Sequence, residues 1–431
     1  MDSKFSRRRF LAACGAAIVL AGGGWTFMKY RVWQKLAGKA HGMTGSEKRD
    51  DIRFVRQVIA QDNAAARTIM WQTEGALEAP SVEYRCVGEE ETKRASAEAD
   101  VFTDDGVTAV IYTAVLHDLP KGASMEYRIT AKGVAGSWHS LHTDAGEGFK
   151  ALIFPDSQSS DYTDWQNLAQ DAAKRNPRAD FFINMGDLVD NGEDHTQWEA
   201  WFSALSSIID RIPVAPVMGN HETYDQAWKV REPVAYLHAF AVPENGSAVF
   251  SRYYYSFDYG PVHFIVLNTQ EDETQAFHPG LIEEQTEWFR RDVAQTDRKW
   301  KIVLMHKEVL QYRIHNRPER CEGISDDGRI WMPLFDKANI DVVFSAHLHT
   351  YRNRGHIRNF QHDPTGPLYI LTGVAGNVRY PGLWIDHSLD ETIAPQPETD
   401  NYLTLKADRD HLEIRSYLPD GSQIDEETVR K

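Results

Sequence analysis

Through residues 51–144, apolar and polar positions alternate in short runs. Residues 54–59, 65–71, 82–87, 108–113 and 125–130 are rich in β-branched and aromatic side chains and are separated by turn-forming stretches. Alternation of this kind predicts strands, and several strands in succession predict an all-β sandwich with Trp71 in its core. From residue 148 the rhythm changes. Short apolar runs at 151–154, 181–184, 214–217, 262–267, 300–305, 341–344 and 368–371 read as buried strands. Among them, residues 162–174, 196–209 and 281–293 read as helices. Alternating strands and helices predict an α/β region around a buried sheet. Residues 402–405 and 411–417 alternate like strands with one exposed face. Trp165, Trp198, Trp201, Trp288 and Trp331 fall on helical patterns suited to core packing.

The segment ahead of these runs has another plan. Residues 1–40 hold eight Lys or Arg and one acid, so the formal charge of -16 divides into +7 there and -23 for the rest. Arg7-Arg8-Arg9-Phe10-Leu11 pairs arginines with Phe-Leu, and residues 10–28 carry no charge. A basic start, an apolar middle and the small residues Ala21, Gly22 and Gly23 match the plan of a signal peptide, and the paired arginines resemble a twin-arginine export signal. Nineteen uncharged residues are also about long enough to span a bilayer if left uncut. The expectation is a bacterial protein exported to the periplasm or cell surface. Residues 1–28 would be its twin-arginine-type signal or membrane anchor and residues 29–50 a linker. Three cysteines rule out a disulfide scaffold. Cys14 falls in the signal, which leaves Cys86 and Cys321 either paired or free. The hydrophobic share of 42% suffices for sizeable cores. The acidic body argues against nucleic-acid polymers as partners.

Five polar clusters carry the chemistry. Asp156-Ser157-Gln158, Gly186-Asp187 with Asp190-Asn191-Gly192, Gly219-Asn220-His221-Glu222, His306, and His347-Leu348-His349 each follow an apolar run. In open α/β sheets, ligands bind beyond the carboxyl ends of the strands. Carboxylate, side-chain amide and imidazole together suit Mn, Fe or Zn, whereas a thiolate site would need cysteines. One carboxylate shared by two cations lets them sit about 3.5–4 Å apart, a spacing that clamps a phosphoryl group. His347 and His349 are two apart, so on one strand they would face the same side.

In this order the clusters resemble the calcineurin-like metallophosphoesterase family, with its Asp-x-His, Gly-Asp, Gly-Asn-His-Asp/Glu, lone His and Gly-His-x-His motifs. The resemblance covers about residues 148–385. The segment before it, with a fibronectin type III-like turn and strand at 119–127, resembles the N-terminal domain of purple acid phosphatases. The implied fold is α/β: a four-layer α/β/β/α sandwich over 148–431, C-terminal strands included, preceded by an all-β fibronectin type III-like sandwich over 51–144. The resemblance implies that Asp187 bridges two divalent metal ions. Asp156 and His349 would bind the first, and Asn220, His306 and His347 the second, with Gln158 in the remaining place of the first motif. Asn220 and His221 would meet the substrate, His221 as general acid or hydrogen-bond donor near the leaving-group oxygen. Tyr351 and Arg352 resemble the aromatic-basic continuation of purple acid phosphatases and would approach the substrate.

The implied activity is metal-dependent hydrolysis of a small phosphate ester, monoester or diester, by a metal-activated water. The rival reading is a surface module that only binds metal or a phosphorylated ligand. Three positions depart from the family pattern. Gln158 stands where a His is usual, Asp190 where purple acid phosphatases have a metal-binding Tyr, and Ala346 where a Gly is usual. Asp190-Asn191-Gly192 also reads as a turn, and Gln158 as a loop amide. Residues 224–250 and 311–329 overhang the same edge. Arg313, His315, Arg317 and Arg320 in the second either attract phosphate anions or form a solvated loop.

Overall fold

Strands that are buried along most or all of their length set the architecture. Gly148–Phe154, Phe181–Asn184 and Val214–Pro216 run parallel and adjacent in one sheet. Val262–Leu267, Trp300–Met305, Val342–Ser345 and Leu368–Thr372 do the same in a second. Both faces of such strands need apolar cover, which is why they read as near-continuous apolar runs. The computed structural model describes residues 52–132 and 134–431, and the export segment expected at 1–28 and the linker at 29–50 lie outside the described residues. Among the described residues, no helix is long and apolar enough to cross a membrane.

The two sheets meet through aromatic rings. Phe149 lies 5.8 Å from Phe264, and Phe181 lies 6.0 Å from Phe257 and 5.7 Å from Phe264. Helices Thr163–Arg175 and His195–Ala204 cover the first sheet, with Trp165 edge-on to Phe154 at 5.1 Å and near Trp201 at 6.2 Å. Helices Leu281–Gln295 and Asp326–Ala338 serve the second, where Phe289 meets Trp331 at 5.8 Å. This is the expected four-layer arrangement, and the five tryptophans assigned to packing are all buried. The helix Asp326–Ala338 begins inside the region read as an overhanging loop. Ser325 caps it by accepting from the Gly328 amide, and Pro333 lies within it.

The β-rich segment is not separated from the α/β part at residue 144. Val58 pairs in parallel with Val214, so the first sheet continues through Arg53–Val58, Arg67–Thr73, Val107–Leu116 and Glu98–Asp104. Its other end takes in the C-terminal strands Tyr402–Asp408, His411–Tyr417 and Gln423–Arg430. A five-stranded sheet built on Ser81–Cys86 and Ser124–Ala131 closes the sandwich. Trp71 is fully buried there, stacked on Tyr112 at 5.3 Å. Cys86 and Cys321 are free thiols.

One polar clamp ties the second sheet to its outer helix. His263 Nδ1 meets Asp258 Oδ1 at 2.7 Å and its Nε2 meets Asp292 Oδ2 at 2.8 Å. Burial alone would lower this imidazole, but the two aspartates outweigh burial and push it up to about 9 from 6.5. A raised folded value means that the charged form stabilises the fold. The contribution is complete below pH 6.5 and is lost as pH rises through about 9. The unfolding free energy should therefore drop by on the order of 2 kcal/mol across that window. In His263→Gln, denaturant melts at pH 6 and pH 9 should differ by correspondingly less. An unchanged pH slope in the variant would refute the clamp.

Candidate metal centre

The parallel strands end at a common edge, and the residues that follow them converge there. Asp156, Asp187 and His349 form one group, and Asp187, His306 and His347 a second. In each group the candidate ligand atoms lie within 4.8 Å of one another. Asp187 belongs to both. Asp156, Asp187, His306 and His349 are all buried. Asn220 joins the second group, its Oδ1 being 3.2 Å from His306 Nε2.

Local backbone chemistry explains the motif residues. Asp187 has a left-handed φ of 47°, and Gly186 before it a φ of 99°. A β-carbon on Gly186 would lie 2.5 Å from His306 Nδ1, and one on Gly219 would collide with the Asp187 carboxylate and amide. Glycine is thus required in both motifs by close approach. Asp187 Oδ1 accepts from the His221 amide at 2.9 Å, and Asp156 accepts from the His347 amide at 3.0 Å. His347 and His349 lie in a turn rather than on a strand, with φ of 77° and 52°. The same-side geometry of a shared strand therefore does not apply to them, and they fall in different ligand groups. The Trp384 indole pins this turn by donating to the Leu348 carbonyl at 2.8 Å.

The imidazoles are oriented by their outer nitrogens. His306 Nδ1 donates to the Met185 carbonyl at 2.9 Å, and His349 Nδ1 to the Val378 carbonyl at 2.6 Å. A carbonyl only accepts, so the proton sits on Nδ1 in both rings. Nε2 of His306 then points at Asp187 Oδ2, 3.1 Å away, and Nε2 of His349 at Asp156 Oδ2, 3.0 Å away. Acceptors face acceptors, and only positive charge between them, a proton or a metal ion, relieves the repulsion. The acids show the same demand. Burial alone would lower His306, but Asp187 and then Asp156 push it up to about 9. Burial alone would raise Asp187, yet His306 and His221 hold it far below the usual carboxylate range. His347 is kept neutral by burial and by the neighbouring His306 charge, and its buried Nδ1 has no hydrogen-bond partner. Gln158 Oε1 is likewise buried without a partner, while its Nε2 lies 3.3 Å from His349 Nε2. Orphaned buried acceptors beside carboxylates and imidazoles fit divalent cations.

Two expected substrate contacts are corrected. Tyr351 is 2% exposed and donates to Asp425 Oδ2 at 2.8 Å. Arg352 is 1% exposed, ion-paired to Asp386 at 2.5 Å, and donates to Thr350 Oγ1. Both belong to the strand Tyr351–Arg358, which carries them away from the edge into packing. In the basic loop, Arg313 pairs with Glu322 at 3.4 Å and Arg320 donates to the Tyr312 carbonyl at 2.8 Å. Asp190 lies beside the centre. Its carbonyl accepts from His221 Nδ1 at 2.7 Å, and its amide donates to Gln197 Oε1 at 2.7 Å.

Sequence reasoning gave no role to three residues here. Tyr380 sits 4.9 Å from the His349 ring, its phenol held protonated by burial and by Asp190, Asp187 and Asp156. Trp384 holds the histidine turn. Glu222 accepts from the amides of Asp187 at 3.0 Å, Leu188 at 2.8 Å and Gly219 at 2.7 Å. It thereby locks two ligand loops together, while burial and the Asp187 charge push its carboxyl up to about 7. Its place as the acid of Gly-Asn-His-Glu was the available signal.

Residues 138–351 match the family model described as calcineurin-like phosphoesterase, and residues 53–143 match that of the purple acid phosphatase N-terminal domain. The chain carries a calcineurin-like phosphoesterase domain behind a purple acid phosphatase N-terminal domain. Purple acid phosphatase 15 of Arabidopsis thaliana is 30% identical over 209 residues, 47% of this chain and 36% of that protein. The Fe(3+)-Zn(2+) purple acid phosphatase 12 of the same plant is 23% identical over 81% of this chain and 75% of its own length. The purple acid phosphatase PPD1 from yellow lupin (Lupinus luteus) seeds has the same fold, with a TM-score of 0.70 at 17% identity over 88% of this chain and 74% of its own. The chain spans less than half the length of the first curated relatives it matches.

Removing the Glu222 carboxylate should loosen both loops of the phosphoesterase domain at once. Glu222→Ala leaves four buried amides, those of Asp187, Leu188, Val189 and Gly219, without that acceptor and should cost about 3 kcal/mol of stability. Metal affinity should fall by about 10–100-fold. Denaturant melts and metal titrations of Glu222→Ala and Glu222→Gln measure this. Wild-type metal affinity in a folded Glu222→Ala would count against the role.

Proposed function

We propose that this chain is a hydrolase of phosphate esters working with two divalent metal ions. The observation that carries the reading is the sharing of Asp187 between two ligand groups at one strand edge. Asp156, Gln158, Asp187 and His349 would hold one ion, and Asp187, Asn220, His306 and His347 the other. When bound, the metals supply an activated water and positive charge on the phosphoryl oxygens.

The chain's own residues do the rest. Asp187 and Asp156 carry the negative charge that draws cations to a buried edge. His221 is aimed by the Asp190 carbonyl on Nδ1, which leaves Nε2 facing the centre, 3.9 Å from Asp187 Oδ2. Burial opposes its charged form, but Asp187 and Asp190 outweigh burial and raise it above its ordinary range. A protonated Nε2 in that place can donate to the departing alcohol oxygen. Asn220 lies next to it and completes the substrate-facing edge. With Asp190 in place of the purple-type tyrosine, the metals are expected to be divalent Mn, Fe or Zn, and the protein colourless in the visible.

Protein purified without chelator should bind two metal ions per chain and hydrolyse phenyl phosphate or an aryl diester with at least one of these metals. Asp187→Asn should lower metal content and reduce kcat/KM by about a thousandfold, and His221→Ala should reduce kcat by about 10²–10³-fold. Full activity in Asp187→Asn would sink the shared-ligand assignment. Metal binding with no turnover of any ester would favour a binding module.

We also infer that residues 1–28 direct export or tether the chain, on the strength of Arg7-Arg8 followed by Phe10-Leu11. Replacing both arginines by lysine should retain the protein in the cytoplasm on cell fractionation. Unchanged export would defeat this.

A further inference from the structure

An exposed tryptophan stands beside His221. Trp228 is 42% exposed, and its ring centre lies 5.6 Å from that of His221 at an interplanar angle of 89°. Tyr224, on the same turn, lies 5.7 Å from His221 and 6.0 Å from Trp228. A single exposed apolar side chain needs no explanation. Trp228 is set apart by its backbone and by its framing.

Trp228 has a φ of 62°, in the left-handed region that bulky residues rarely adopt. The strain is held in place from several sides. Tyr224 and Val230 form a bridge across the turn. Asp225 Oδ1 accepts from the amides of Ala227 and Lys229, each at 2.8 Å, and the Trp228 amide donates to the Asp225 carbonyl at 3.0 Å. Asn191, next to Asp190, donates from Nδ2 to the same carbonyl at 3.1 Å. The loop that aims His221 thus also fixes the turn that carries Trp228. A strained, over-determined backbone next to a reacting group points towards function.

We propose that Trp228 is a stacking platform for the alcohol side of the substrate, which makes the preferred ester one whose leaving group carries a flat aromatic ring. The proposal rests on the hydrolase reading, which puts the leaving group next to His221. A ring joined directly to the ester oxygen, or a nucleobase joined through a sugar, would offer the same face to the indole. Tyr224 closes the apolar corner behind it. Its phenol is held protonated by burial, next to Glu273 and Lys307.

The test compares substrates that differ in the ring. For wild type, Trp228→Phe and Trp228→Ala, kcat and KM are measured for phenyl phosphate, adenosine 5′-monophosphate and glycerol 2-phosphate. In Trp228→Ala, the ratio of kcat/KM for an aromatic ester over glycerol 2-phosphate should fall about tenfold, mainly through KM. Trp228→Phe should restore most of the ratio. A fall with phenyl phosphate alone assigns a directly attached ring, and a fall with the nucleotide alone assigns a nucleobase. Calorimetric binding of phenylphosphonate against methylphosphonate reads the platform without turnover. Wild type should prefer the phenyl compound, and Trp228→Ala should lose that preference. Unchanged ratios and an unchanged phosphonate preference would overturn the platform while leaving the hydrolase reading intact. Loss of the phosphonate preference in a protein that turns over no ester would leave a ring-binding surface at Trp228 but sink the hydrolase and, with it, the leaving-group assignment.

Discussion

Buried negative charge at Asp187 is the constraint on which the rest of the molecule depends. A carboxylate removed from water costs several kcal/mol unless charge and hydrogen bonds surround it. Asp187 and Asp156 sit almost wholly buried at the strand edge. Around them the chain supplies imidazoles, the His221 and His347 amides and the clearance that Gly186 and Gly219 create. The loops cannot vary independently, because Glu222 holds the amides of two of them at once. Both sheets are needed, since the first delivers Asp156, Asp187 and Asn220 and the second delivers His306 and the histidine turn.

The same economy extends to the β-rich segment. Strand Arg67–Thr73 is buried on both faces because it serves two cores. Met70 packs into the large α/β core, while Ile69 and Trp71 pack into the sandwich. Polar ties reinforce the join. Gln57 Nε2 donates to the Ser140 and Asp210 carbonyls, the Tyr127 hydroxyl donates to the Asp210 carbonyl, and the Arg56 guanidinium donates to the Ala239 carbonyl. With one continuous sheet and shared burial, the sandwich is an extension of the scaffold beneath the candidate ligand edge.

The parts legible in the sequence were those where chemistry restricts residue type. Asp, Asn and His directly after apolar runs announce a ligand edge, since few other side chains can do that work. Trp71 and the helical tryptophans announce packing, because large rings dominate cores. What remained hidden depends on the third dimension. Tyr351 and Arg352 follow the histidine turn directly, and only the course of the next strand shows that they point into packing. The helix Asp326–Ala338 was obscured by the basic loop before it and by Pro333 inside it. The pairing of Val58 with Val214 joins distant segments and leaves no local pattern. Glu222 and Trp384 act on backbone groups, which sequence does not display.

The histidine turn shows how strain and ligation are joined. On an extended strand, His347 and His349 would project to the same side. With both residues left-handed, the pair divides, His347 joining Asp187 and His306 while His349 joins Asp156 and Asp187. Each such residue costs on the order of 1–2 kcal/mol. The turn is held by bonds at three successive residues: the His347 amide on Asp156, the Trp384 indole on the Leu348 carbonyl and His349 Nδ1 on the Val378 carbonyl. An unstrained strand would place both imidazoles on one side of the edge. The turn instead assigns one imidazole to each candidate ligand group around Asp187, so the strained backbone is what lets a motif of only three residues serve both groups.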